Sequence, residues 1–302
     1  MAFDATQKLT CANFAALPTL CSDGAWGTEL MKLGGKPGEV KDFWNVTAPD
    51  KVFKVAKSYV DAGSHIILTN TFNANRISLA QHDAASRVTE LNKAGAEISK
   101  KAAAGKAYVF ASIGPTGKMV SMGDLSAKDA EDVFAEQAAA LAAGGADAIV
   151  VETQSDLAEA EAALKAARKA TGLPVGVSFT FDSGKDKDRT MMGVTVPQAY
   201  EMAKANGASF VGANCGLGIE GYIAIALAFA KCGKELPIWI KGNAGKPEVG
   251  PDGKSVYKAT PDIYASAAKP LLDAGARFVG GCCGSTPAHI RALVEAVKKA
   301  RK

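Results

Sequence analysis

The stretch DAGARFVG (residues 273–280) carries a helix end, a turning glycine and the start of a buried strand. The chain repeats the phrase as DAGSHIIL (61–68) and AAGGADAIV (142–150). Helices commonly close on glycine, and a short apolar run after such a stop reads as a strand. Working outward from these repeats, eight apolar runs appear: LPTLCSDG (17–24), SHIILTNTF (64–72), AYVFASIGPTG (107–117), DAIVVETQSD (147–156), PVGVSFTF (174–181), ASFVGANCG (208–216), PIWIKGNAG (237–245) and RFVGGCCG (277–284). Helical patterns such as APDKVFKVAKSYVDAG and DLAEAEAALKAARKATG lie between them, several opened by Asp, Ser or Thr caps. Continuously apolar strands separated by helices imply a parallel sheet covered on both faces. Eight βα units favour a single α/β domain, a closed (β/α)8 TIM barrel whose chemistry sits at the C-terminal ends of the strands. The barrel is expected to occupy residues 1–302, with 1–16 as an N-terminal extension. No GxGxxG or GxxxxGK[ST] stretch supports a nucleotide-binding alternative.

Composition narrows the class. The 302 residues are 48% hydrophobic and 22% charged, which suits an ordinary globular protein. The net charge is only +4 and no basic run is interleaved with aromatics, so nucleic-acid binding has no support. No run approaches the roughly 20 apolar residues of a membrane span, and the first residues lack the pattern of a secretory signal. The expectation is a cytoplasmic protein without a membrane partner. In that compartment six cysteines argue for metal or catalysis over disulfides.

The cysteines are not scattered evenly. Cys282 and Cys283 end strand eight and Cys215 ends strand six, so three thiols fall on the expected catalytic rim, whereas Cys11, Cys21 and Cys232 lie outside any strand end. Vicinal cysteines make a poor structural disulfide because the trans peptide holds their side chains apart. Three converging thiolates would suit a tetrahedral zinc with one open position, the pattern of a catalytic site. The alternative at this point is that the pair are small packing residues in a Gly-rich turn. The three histidines, His65, His82 and His289, sit at no strand's C-terminal end, which disfavours a His-ligated zinc hydrolase. Asp23 ends strand one and Glu152 ends strand four. Asp23 also reads as a helix N-cap, while Glu152 directly after AIVV would be a buried carboxylate in need of a partner.

Taken together, DGAWGTEL, LTNTFNANRISL, GPTG, VETQSD, GANCG, NAGKP and GGCCGSTPAHI resemble the homocysteine S-methyltransferase family, and within it the homocysteine-binding barrel of cobalamin-dependent methionine synthase. The resemblance runs from about residue 17 to the C-terminus with the motifs in order. It implies that Cys215, Cys282 and Cys283 bind Zn2+, that Asp23 and Glu152 hold the amino group of homocysteine, and that backbone N–H groups around Gly24 and Ala25 receive its carboxylate. Phe72 is expected to wall the pocket, and Asn70 and Asn214 either brace loops or face the site. Asn243 is expected as a fourth zinc ligand before substrate arrives, or else as a turn residue. The family usually has proline before that Asn, where this chain has Gly242.

The implied reaction is methylation of homocysteine to methionine. The likeness around NAGKP and GKSVY points to a methylcorrinoid donor, arriving free or on a separate corrinoid protein, since no DxHxxG segment is present and the chain stops at VKKARK. S-adenosylmethionine, S-methylmethionine or a betaine are the alternative donors. Two further readings are a non-catalytic zinc or thiol-binding subunit of a corrinoid methyltransferase complex, and a cysteine redox enzyme, which the absence of CxxC disfavours.

Overall fold

A computed structural model describes residues 3–250 and 255–301. The N-terminal Met1 and Ala2, and Gly253 and Lys254 of the GKSVY stretch, lie outside the described residues. Eight parallel strands form the barrel: β1 (Leu20–Cys21), β2 (Ile66–Ile67), β3 (Tyr108–Ile113), β4 (Ala148–Gln154), β5 (Val175–Phe179), β6 (Phe210–Gly218), β7 (Ile238–Asn243) and β8 (Ala276–Gly281). They follow one another around the ring in chain order, with β8 pairing back onto β1. A parallel bridge between Ser22 and Ile66 joins β1 to β2 and completes the ring.

Eight helices cover the outside, one after each strand: α1 (Pro49–Asp61), α2 (Val88–Ala103), α3 (Ala127–Ala143), α4 (Leu157–Thr171), α5 (Val196–Ala205), α6 (Tyr222–Cys232), α7 (Pro261–Asp273) and α8 (Pro287–Ala300). Their starts follow local chemistry. Ser126, Asp156 and Thr195 cap α3, α4 and α5 with side-chain oxygens, and Pro sits in the first turn of α1, α5, α7 and α8. The sequence reading of eight strands and eight helices therefore holds, and the structure adds shorter helical turns within the first two βα connections.

Two main apolar cores result, beside a small cluster of Ala74, Leu79, Ala84, Val88 and Leu91. One lies between the strands and helices; the other fills the barrel and is built from the alternate, inward-facing strand residues. Along β3, β7 and β8 those positions step from an aromatic to a smaller or polar residue: Phe110 to Ser112, Trp239 to Lys241, Phe278 to Gly280. The lower half of the barrel is thus aromatic and the upper half polar. Phe14, from a short helix in the N-terminal extension (Cys11–Phe14), stacks on Phe210 at 5.4 Å and closes the lower end.

Candidate active site

The upper rim gathers the three sulfurs. Cys215 lies in a bulge of β6, where the register with β7 jumps between Asn214 and Gly218. Its φ is +64°, a left-handed conformation that a non-glycine residue adopts at a cost, and the Tyr222 hydroxyl donates to its carbonyl. Cys282 and Cys283 leave β8 into the turn before α8. That turn is pinned to the end of β7: the Cys282 N–H donates to the Gly242 carbonyl at 2.7 Å and the Ala244 N–H to the Cys283 carbonyl at 2.9 Å. Gly242 packs so closely that a Cβ would stand 2.3 Å from the Ile219 backbone, a physical account of why this position carries no side chain here.

The Cys215 and Cys283 sulfurs are 3.9 Å apart, and all three sulfurs lie within 4.8 Å of one another. Four-coordinate zinc with Zn–S of about 2.3 Å needs thiolates about 3.8 Å apart, so the donor set fits that metal, and all three thiols are free. Beside them the Asn243 side chain helps to lower the Cys215 thiol, and its Oδ1 is buried without a partner among the described residues. An orphaned acceptor at the mouth of a thiol cluster suits a cation. The Cys215 thiol is driven down by its neighbours Cys282 and then Cys283, and those two thiols are in turn raised by it.

Below the sulfurs sits a buried charge cluster. Asp23 is fully buried, with Oδ1 paired to the Lys241 ammonium at 2.5 Å and Oδ2 accepting from the Trp26 indole and the Leu68 N–H, both at 2.7 Å. Glu152 accepts a hydrogen bond from Ser112. Burial pushes Glu152 up to about 7 against the opposing pull of Lys241. Burial depresses Lys241, but the charges of Asp23 and Glu152 outweigh it and leave the lysine above its ordinary value.

Other expected positions fall as follows. The Ala25 N–H donates to the Ser285 hydroxyl at 3.1 Å, and Gly24 is boxed in by Tyr59 and Ser285. The half-buried Phe72 lies beyond β2 with its ring against Gly114. Asn214 braces loops: its Oδ1 accepts from the Thr153 N–H and the Ser178 hydroxyl, and its Nδ2 donates to the Thr153 hydroxyl. Asn70 braces too, donating to the Lys41 carbonyl and Asn45. His65 accepts from the Cys21 N–H and burial lowers it to about 4, whereas His289 caps α8. Lys241 is the residue that sequence reasoning passed over. Its signal was present in IWIKGN, a charge directly after an apolar run, the same sign that marked Glu152.

The family model described as Homocysteine S-methyltransferase matches residues 20–297. The chain belongs to that family. It is similar to the methionine synthase of Mycobacterium tuberculosis (strain ATCC 25618 / H37Rv), at 31% identity over 302 residues and 94% of this chain. The methionine synthase of Mycobacterium leprae (strain TN) is 30% identical over 299 residues and 93% of this chain. The chain spans only about a quarter of each relative, 25% and 24%. Among solved structures, the metallated form of the homocysteine methyltransferase MmuM from Escherichia coli superposes with a TM-score of 0.77, covering 96% of this chain and 99% of that one at 23% identity. This homocysteine S-methyltransferase family member is therefore a (β/α)8 barrel with a three-cysteine cluster at the C-terminal rim of its strands.

Proposed function

We propose that the chain is a zinc-dependent thiol S-methyltransferase that converts homocysteine to methionine, with a methylcorrinoid, free or on a separate protein, as the methyl donor. The observation that carries this reading is the meeting of Cys215, Cys282 and Cys283 on the rim, with Asn243 Oδ1 turned in unpartnered beside them. Membership of the family and the methionine synthases among the relatives support homocysteine as acceptor, and the corrinoid donor rests on the resemblance of the NAGKP and GKSVY stretches.

Bound zinc would supply a positive centre that favours the thiolate of an arriving thiol, whose free pKa is near 8.5. The three cysteinates contribute negative charge around the acceptor sulfur and keep it electron-rich. Asn243 is the group placed to stand in the fourth position and give way. Asp23 and Glu152, with backbone N–H groups near Gly24 and Ala25, form the end of the pocket assigned to the amino acid, and Phe72 a wall. One sulfur–carbon bond forms as the methyl–donor bond breaks, with the electron pair left on the donor and the thiol proton released to solvent.

The test is direct. Reduced, reconstituted protein should hold one zinc per chain, and Cys215→Ala, Cys282→Ala or Cys283→Ala should lower that content. Zinc-loaded protein given homocysteine and, in turn, methylcobalamin, S-adenosylmethionine, S-methylmethionine and betaine should form methionine with methylcobalamin. Methionine from a different donor would replace the donor assignment only. No methionine from any donor would leave a binding subunit and sink the enzymatic reading.

A further inference from the structure

The charge cluster beneath the sulfurs bears on which thiols the site selects, and this step rests on the acceptor reading above. Two buried carboxylates are available to an amino acid's ammonium, yet one already holds a cation from the protein itself. Lys241 and Asp23 have side-chain exposures of 2% and 0%. Both oxygens of the fully buried Asp23 already have donors, Lys241 on Oδ1 and Trp26 and Leu68 on Oδ2. A substrate ammonium reaching for Asp23 would have to expel Lys241 from a dry pair and strand a second buried charge. Glu152 is different: among the described residues its carboxylate hydrogen-bonds only the neutral Ser112 hydroxyl, Lys241 acts on it through its charge without a hydrogen bond, and it retains some exposure.

We propose that Lys241 is a specificity-determining residue that permanently occupies Asp23, so that the acceptor's ammonium is read by Glu152 alone and thiols lacking that ammonium are also bound. Asp23 then acts as the anchor of Lys241 and of the strand-one turn. The substrate class widens from α-amino thiols to ω-mercapto carboxylic acids of the same length.

The size of the effect separates this from the ordinary expectation. A site whose buried polar groups are committed to a substrate N–H rejects the analogue lacking it by ~10⁴-fold or more. One charge-assisted contact to Glu152 alone is worth ~10–100-fold. Titration calorimetry on the zinc-loaded full chain should therefore give dissociation constants for homocysteine and for 4-mercaptobutanoate, the same molecule without its amino group, that differ by less than ~100-fold. A larger preference for homocysteine overturns the proposal while leaving the acceptor reading intact; binding of neither thiol fails the acceptor reading itself, and the proposal with it.

Variants give a second handle. K241M frees Asp23 for the ammonium and should raise the preference for homocysteine at least ~10-fold over wild type, in line with one added charge-assisted contact. The double variant D23N/K241M removes both charges, which avoids stranding Asp23, and should restore the wild-type ratio. Melting curves and zinc content identify folded variants. A folded K241M with the wild-type ratio overturns the proposal, and should K241M not fold, the wild-type ratio decides alone.

Discussion

Glu152 is a carboxylate whose surroundings favour its proton. It follows four buried residues of β4, leans on the Ser112 hydroxyl, and is carried up to about 7 by burial, with Lys241 pulling the other way. A carboxyl whose folded pKa stands above its unfolded value near 4.5 favours the fold most while protonated. That contribution is whole below pH 4.5 and disappears as pH climbs through 7. Glu152→Gln keeps the shape and the Ser112 contact but cannot ionise. In metal-free protein the variant should therefore gain on wild type between pH 5 and pH 8, by up to roughly 3 kcal/mol at the alkaline end. Urea denaturation at several pH values measures the gap, and a gap that stays flat would mean Glu152 is ionised throughout. Lys241 belongs to the same scale. Its partner Asp23 lies 218 residues away in sequence, so a pairing that dominates the pocket's charge leaves no local trace.

At the scale of elements, what was legible depended on whether a feature is written locally. Continuous apolar runs with glycine stops mark the strands, because a strand buried on both faces has no polar face to show. The placing of Cys215, Cys282 and Cys283 on one rim follows once each is seen to end its strand. The device that turns Cys215 inward was not legible. It is a bulge in which a cysteine takes a left-handed φ, matched in β4 by Thr153 at +61° just past Glu152. Asn214 ties the two bulges together, its amide bonded to both the N–H and the hydroxyl of Thr153. Asn214→Ala should loosen both. The stranded Thr153 N–H and Ser178 hydroxyl would each cost about 1–3 kcal/mol of stability. Loss of support behind a ligand typically weakens a metal by about 10–100-fold, which competition with a chromophoric chelator would read as weaker zinc binding. Unchanged zinc affinity in a folded Asn214→Ala would show that Cys215 is held by its own strand and the Tyr222 hydroxyl.

Across the whole molecule the barrel divides stability from chemistry along its axis. Inward positions carry Phe110, Phe210, Trp239 and Phe278 in the lower layer, ring centroids 5.4–6.1 Å apart where they touch, and above them the polar and thiol groups of the rim. The N-terminal extension completes the lower layer. Phe14 is 1% exposed and meets Phe110, Phe210 and Phe278 at 5.9, 5.4 and 5.6 Å. Truncating such a ring removes its transfer free energy and leaves a cavity that rigid strands cannot collapse to fill, at a cost of about 3–5 kcal/mol. Barrels of this type place chemistry at the C-terminal face and stability at the opposite one. Phe14→Ala should accordingly lower the unfolding free energy from urea denaturation by that amount while zinc stoichiometry and the affinity for homocysteine stay at wild-type values. A variant that lost zinc together with stability would show instead that the aromatic floor transmits strain through Trp239 and Lys241 to the rim, and the two ends of the barrel would have to be treated as one cooperative unit.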